Sequence, residues 1–280
     1  MRRLAAFVIA LAVVFAGGCG AESSPPALGV ADEGAGHIHG LGINPADRSL
    51  YIATHAGLFR AAPNQRTAER VGDRRQDTMG FTVVGPDQFL GSGHPDARDH
   101  LPPLLGLIRS NDGGKKWTPV ALLGEADFHV LRTAGPRLYG FDATQGRLMV
   151  SANGGRSWQQ SRPPGALVDL AVDPGDSSHI VAAADGGLFA SRNAGRTWRP
   201  VAGPDRVGLL AWTDALILID GGGETHRSTD AGRSFDRVGR IAGRPAALAS
   251  HGRDLYVALH DNTVKVSRDG GRSWNMRASV

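Results

Sequence analysis

The chain of 280 residues contains a single cysteine, Cys19. No intramolecular disulfide can therefore hold the fold together. It contains three tyrosines, Tyr51, Tyr139 and Tyr256, so chemistry that needs a phenol has few candidates. No stretch sustains the 3.6-residue apolar period of an amphipathic helix. The one long apolar run, Leu4 to Phe15, is too short to cross a bilayer comfortably. A large excess of charge is missing too. The net charge is +4, and about half of it resides in Arg2 and Arg3. Much of the remaining basic character is Arg156, Arg196, Arg233 and Arg272, which recur at one position of a repeated turn. A basic surface built that way gives no footprint for nucleic acid, and no nucleic-acid partner is expected.

What the chain has instead is repetition. Five copies of an eight-residue turn occur: SNDGGKKW (Ser110 to Trp117), SANGGRSW (Ser151 to Trp158), SRNAGRTW (Ser191 to Trp198), STDAGRSF (Ser228 to Phe235) and SRDGGRSW (Ser267 to Trp274). The serine hydroxyl and the third-position Asp112, Asn153, Asn193, Asp230 or Asp269 can hold a tight turn by bonding nearby backbone. The fifth position is always Gly, which suits φ > 0. The closing Trp or Phe supplies a large ring to bury. The turns recur every 37 to 41 residues. That period matches one four-stranded propeller blade. Short β-rich runs divided by Gly, Asp and Asn fill the intervals. Six repeats are counted from His37 onward, the first with a decayed turn at Ala62 to Glu69. The expected fold is all-β, a six-bladed β-propeller of four-stranded antiparallel blades over residues 37–280. Tyr51, Tyr139 and Tyr256 share one second-strand position, which marks them as packing residues.

The repeated turns resemble the Asp-box, or BNR repeat, of sialidase-like propellers. The segments HIHGLGINPADRSLYIATHAGLFR, QDTMGFTVVG, GSGHPD and GEADFH resemble bacterial secreted lipoproteins of the kind called glycosylhydrolase or exo-α-sialidase-like. That resemblance implies a propeller and raises glycoside hydrolysis as an activity. It carries no catalytic assignment by residue. Sialidases attack with Tyr rather than with the usual carboxylate pair, and all three tyrosines here occupy the packing slot. Phe59-Arg60-Ala61-Ala62-Pro63 is a poor echo of the motif that precedes the first Asp-box in sialidases. A carboxylate-pair glycosidase would instead use Asp77 and Asp127 as acid and base.

The N-terminus is organised for export. Met1-Arg2-Arg3 precedes the apolar run, and Ala16-Gly17-Gly18-Cys19 follows it. This resembles a bacterial lipobox, although Ala16 stands where Leu is usual. Residues 1–19 are therefore expected to form a lipoprotein signal peptide with Cys19 as the lipidated residue. Residues 20–36, small, polar and containing Pro and Gly, are expected to be a flexible tether. The expected location is the cell envelope, lipid-anchored on the outer face of the cytoplasmic membrane.

Ligand-type residues gather at one predicted face. Inner-strand starts and second-to-third-strand loops share that face, while the repeated turns occupy the other. His39, Met79 and His129 are repeat-equivalent, as are His37, Asp77 and Asp127 two residues earlier. His55 and His260 share the second-to-third loop slot, with His94 and Asp96 near it in blade two and Asp185 in blade four. His with Met favours copper, and His with carboxylate favours zinc or a similar metal. The metal candidates are His37, His39, His55, Met79, His94 and His129, with His260 added for a polar ligand. His100, His179, His226 and His251 are assigned to surface or structural roles. Binding of copper, zinc or a polar ligand ranks first. A ligand-free assembly scaffold and a glycosidase are the alternatives. Expected partners are the membrane, through the lipid anchor, and a metal, glycan or protein on the His-rich face, with the chain a monomer.

Overall fold

The computed structural model describes residues 34–204 and 207–280. Cys19, the expected signal segment and most of the expected tether lie outside these residues. The described residues form twenty-four strands and no helix.

Six sheets of four strands follow one another along the chain. Blade one comprises β1 (Ile38–Ile43), β2 (Leu50–Thr54), β3 (Gly57–Ala61) and β4 (Glu69–Arg70). Blade two comprises β5 (Asp77–Gly85), β6 (Gln88–His94), β7 (Leu107–Ser110) and β8 (Thr118–Ala121). Blade three comprises β9 (Phe128–Ala134), β10 (Arg137–Asp142), β11 (Arg147–Ser151) and β12 (Gln159–Ser161). Blade four comprises β13 (Leu167–Asp173), β14 (Asp176–Ala184), β15 (Gly187–Ser191) and β16 (Arg199–Val201). Blade five comprises β17 (Gly208–Trp212), β18 (Leu216–Asp220), β19 (Glu224–Ser228) and β20 (Asp236–Arg240). Blade six comprises β21 (Pro245–His251), β22 (Asp254–Leu259), β23 (Thr263–Ser267) and β24 (Asn275–Ser279). The first strand of each blade touches the first strands of both neighbours, β21 meeting β1, so the inner strands close into a ring around a channel. The fold is a six-bladed β-propeller.

Second strands are the most apolar, because they are covered on both sides by adjacent blades. Leu50, Ile52, Leu216, Leu218 and Val257 are each at most 1% exposed. The tyrosines lie in this layer, buried at 4%, 0% and 6% exposure for Tyr51, Tyr139 and Tyr256. Tyr139 donates its hydroxyl to the Ser177 carbonyl of the next blade at 2.5 Å.

The five turns share one hydrogen-bond pattern. The serine Oγ accepts from the N–H of the fifth-position Gly at 2.8–2.9 Å in each. The same hydroxyl donates to Oδ1 of Asp112, Asn153, Asn193, Asp230 or Asp269. That Oδ1 then accepts from the N–H of the seventh residue, such as Ser273 at 3.0 Å. The fifth-position glycines have φ between 82° and 89°. They also meet a neighbour: a Cβ on Gly114, Gly155 or Gly271 would approach Leu58, Leu107 or Thr225 of the preceding blade to 2.5 Å or less. The turn thus locks its own strands and seats against the blade before it.

Ring closure needs no exchanged strand. One apolar cluster spans blades one and six, joining Ile38, Leu50 and Ile52 to Tyr256, Val264 and Ala278. Ala35 is 4% exposed and belongs to it, so packing begins two residues before the expected start at His37. At the outer edge, Ala68 N–H donates to Ser279 O and Ser279 N–H to Arg66 O, both at 2.8 Å. Buried Arg277 donates to the carbonyls of Gln65, Ala61 and Ala62 at 2.9–3.0 Å. The segment expected to carry blade one's decayed turn therefore receives the C-terminal strand instead.

Candidate functional site

The inner strands are irregular at one repeat-equivalent place. Pairing between β1 and β2 slips between Ile38 and Gly40, leaving His39 as the extra residue. The β5–β6 ladder slips between Thr78 and Phe81, around Met79. The β9–β10 ladder slips where His129 stands, between Phe128 and Val130. Blades four and six slip in the same way at Val168 and Ala246. A bulge bends a strand and re-aims the side chain it carries. The bulged residues His39, Met79, His129, Val168 and Ala246 all line the central channel, a cavity of about 510 Å³. The mouth is polar across blades one to three. Across blades four to six it is apolar, with Val168, Leu209 and Ala246.

Two carboxylates organise the polar half. Asp77 Oδ2 lies 3.1 Å from His55 Nδ1 and 3.1 Å from His94 Nδ1. Asp77 Oδ1 lies 3.7 Å from His39 Nε2. Asp127 Oδ2 lies 2.8 Å from His129 Nε2 and 3.7 Å from His94 Nε2. Four imidazoles from three blades thus surround two carboxylates, and the His94 ring stands between the two acids. His39, His55 and Asp77 bring ligand atoms within 4.8 Å of one another.

Three atoms of this cluster are buried without a hydrogen-bond partner: His39 Nε2, Asp77 Oδ1 and Asp127 Oδ1. Leaving a buried polar atom unpaired costs about 1–3 kcal/mol, so each calls for an explanation. His39 Nε2 and Asp77 Oδ1 face each other at 3.7 Å, too far for a hydrogen bond. Two ligand atoms about 2.0–2.1 Å from one ion are separated by at most about 4 Å. The gap fits a shared cation. Burial lowers the His39 pKa below its ordinary value, and His55, His129 and His37 oppose its protonation against the attraction of Asp77. The neutral imidazole, the form that ligates metal, is favoured.

The other predicted residues take various places. Met79 lines the channel beside it. His37 and His260 stack edge to face with ring centroids 6.2 Å apart, both exposed. Asp96 is 3% exposed and bonded to the Arg98 side chain and the Arg75 N–H, so it pins the loop between β6 and β7 rather than joining the cluster. Asp185 is exposed in blade four. The His94 imidazole lies between Asp77 and Asp127, the carboxylates considered as an acid–base pair.

The sequence pattern placed Asp77 on the same face as the histidines. In the fold it is the hub that contacts three of them. The inter-blade register that does this has no signal within the sequence of one blade. A second group was missed altogether: Asp220, Glu224 and His226 of blade five also bring ligand atoms within 4.8 Å of one another.

No family model matches the chain, and no curated protein matches it. Solved structures do. A YCF48 structure bound to a D1 peptide is 16% identical, with 86% of this chain and 81% of that chain covered and a TM-score of 0.55. A chain of a nidogen/laminin complex is 14% identical, with 82% and 93% covered and a TM-score of 0.61. An ancestral GH74 enzyme is 16% identical with a TM-score of 0.55, and 86% of this chain covers only 38% of it. At such identities the likeness is one of fold. An enzyme and interaction proteins both use this propeller architecture.

Proposed function

We propose that the propeller is a metal-binding protein whose site at the channel mouth takes zinc or copper through His39, His55 and Asp77. The observation that carries this reading is the facing pair of buried, unpartnered atoms, His39 Nε2 and Asp77 Oδ1, with His55 Nδ1 3.1 Å from the same carboxylate's Oδ2. Two imidazoles and a carboxylate form a borderline donor set, which suits Zn²⁺ or Cu²⁺. Met79, whose thioether would draw a site toward Cu(I), lines the same channel. His94, His129 and Asp127 surround the group and orient it, as outer partners of a metal site do. The apolar half of the mouth, at Val168, Leu209 and Ala246, offers a wall against which a ligand or protein segment at the metal would rest.

The same proposal places the protein in the cell envelope, anchored through a lipid on Cys19, on the strength of the apolar run and small residues before it. The common bonding pattern of the five turns supports their reading as Asp-boxes.

Elemental analysis of the purified full-length chain, followed by titration with zinc and with copper, tests the metal. Combining His39→Ala with His55→Ala is expected to lower bound zinc by one equivalent per chain with the β-sheet circular dichroism unchanged. A double variant that binds as many zinc equivalents as the wild type contradicts the reading.

A further inference from the structure

We propose a second divalent-cation site in blade five, formed by Asp220, Glu224 and His226 at the β18–β19 hairpin. It stands on a different blade and on different residues from the channel-mouth site. Asp220 ends β18, Glu224 opens β19, and His226 follows on the same side of that strand, two residues on. The hairpin brings a ligand atom from each within 4.8 Å of the others.

An independent observation points to a ligand. His226 is 9% exposed, and its Nε2 is buried with no hydrogen-bond partner. A buried ring nitrogen in that condition is costly unless something binds it. Asp220 is 3% exposed and its Oδ1 accepts the N–H groups of Gly222 and Glu224, at 2.8 and 2.9 Å, which fixes the loop around the carboxylate. Glu224 Oε1 is paired with Arg237 at 2.9 Å, which orients this carboxylate too.

The repeat supplies an internal control. In blade three the residue equivalent to Asp220 is Asp142, and its partner across the hairpin is Arg147, with Nε 2.8 Å from Oδ2. The position of His226 is held there by Met149, paired with Gly140 as His226 is with Leu218. Blade three thus neutralises its buried carboxylate with an arginine. Blade five has exchanged that arginine for a second carboxylate and added an imidazole. Two acids and one imidazole favour a hard or borderline divalent ion such as Zn²⁺ or Mn²⁺ over soft Cu(I).

Titrating the full-length chain with Zn²⁺ alone, by calorimetry, tests the proposal. Two equivalents are expected for the wild type. One is expected for His226→Gln, one for His39→Ala combined with His55→Ala, and none when all three substitutions are joined. If only the channel-mouth site is wrong, the wild type binds one equivalent and His226→Gln binds none. The proposal is overturned if His226→Gln binds as many equivalents as the wild type. Should His226→Gln lose its β-sheet spectrum, Glu224→Gln takes its place. It is expected to weaken the same equivalent about tenfold or more, and unchanged affinity there overturns the proposal.

Discussion

Gly270 and Gly271 stand side by side in the last turn and should respond very differently to the same added methyl group. Gly270 has φ 72°, and a Cβ there meets only the tips of Arg227 and Arg272 at 3.6 Å. Ala194 and Ala231 hold the equivalent position in other turns at φ 58° and 62°. Gly270→Ala therefore costs only the left-handed backbone, about 1–2 kcal/mol. Gly271 has φ 89°, and its Cβ would lie 2.5 Å from Thr225 Cγ2 in the preceding blade. Overpacking of that kind adds about 1–3 kcal/mol, so Gly271→Ala should cost about 2–5 kcal/mol, and Gly271→Val more. In a domain of this size each kcal/mol lowers Tm by about 2–4 °C. The clash can be separated from the backbone strain by a double-mutant cycle. Thr225 is fully buried, and Thr225→Ser alone removes the offending methyl at a cost of about 0.8 kcal/mol. Combined with Gly271→Ala, it should recover about 1–3 kcal/mol as a coupling energy. Urea melts of the four proteins measure this. Additive costs, with coupling below about 0.5 kcal/mol, would refute the view that the turn is seated against the neighbouring blade.

Other expectations follow from the same structure. Arg277→Met deprives three carbonyls at the ring closure of their donor and should destabilise by about 2–4 kcal/mol; a urea midpoint within error of wild type would show the closure to be held by apolar packing alone. At Asp269 burial opposes ionisation, but hydrogen bonds from Ser273, Ser267 and Arg272 outweigh it and hold the pKa at about 2. The unfolded carboxylate titrates near 3.8, so the turn's contribution is complete above that value and is lost as pH falls toward 2. Asp269→Asn, the residue already used at Asn153 and Asn193, should flatten this acid dependence, and melts at pH 7 and pH 3 with the same slope in both proteins would count against it. Cys19→Ser is expected to release the protein from membranes of a bacterial host. Equal membrane fractions for both forms would remove the lipid anchor from the proposal.

The turns were legible in the sequence because their bonding is local: each serine, Asp or Asn and Gly acts within eight residues. Blade count and strand order followed from the period. Ring closure was not legible, since Arg277 reaches carbonyls at Ala61 and Gln65 from the far end of the chain. The channel mouth was legible in part. Repeat equivalence picked out His39 and His129, but it could not show that a bulge turns each toward the channel, nor that Asp77 of blade two sits against histidines of blade one. His226 was assigned a surface or structural role because it occupies an ordinary third-strand position. Only the side-chain environment separates it from Met149.

The most direct test of the metal-binding claim is zinc-edge anomalous diffraction from crystals of the full-length chain grown with Zn²⁺. The account predicts an anomalous peak at the channel mouth, bonded to His39 Nε2, a ring nitrogen of His55 and a carboxylate oxygen of Asp77. Zinc-loaded crystals with no peak among these three residues would contradict it.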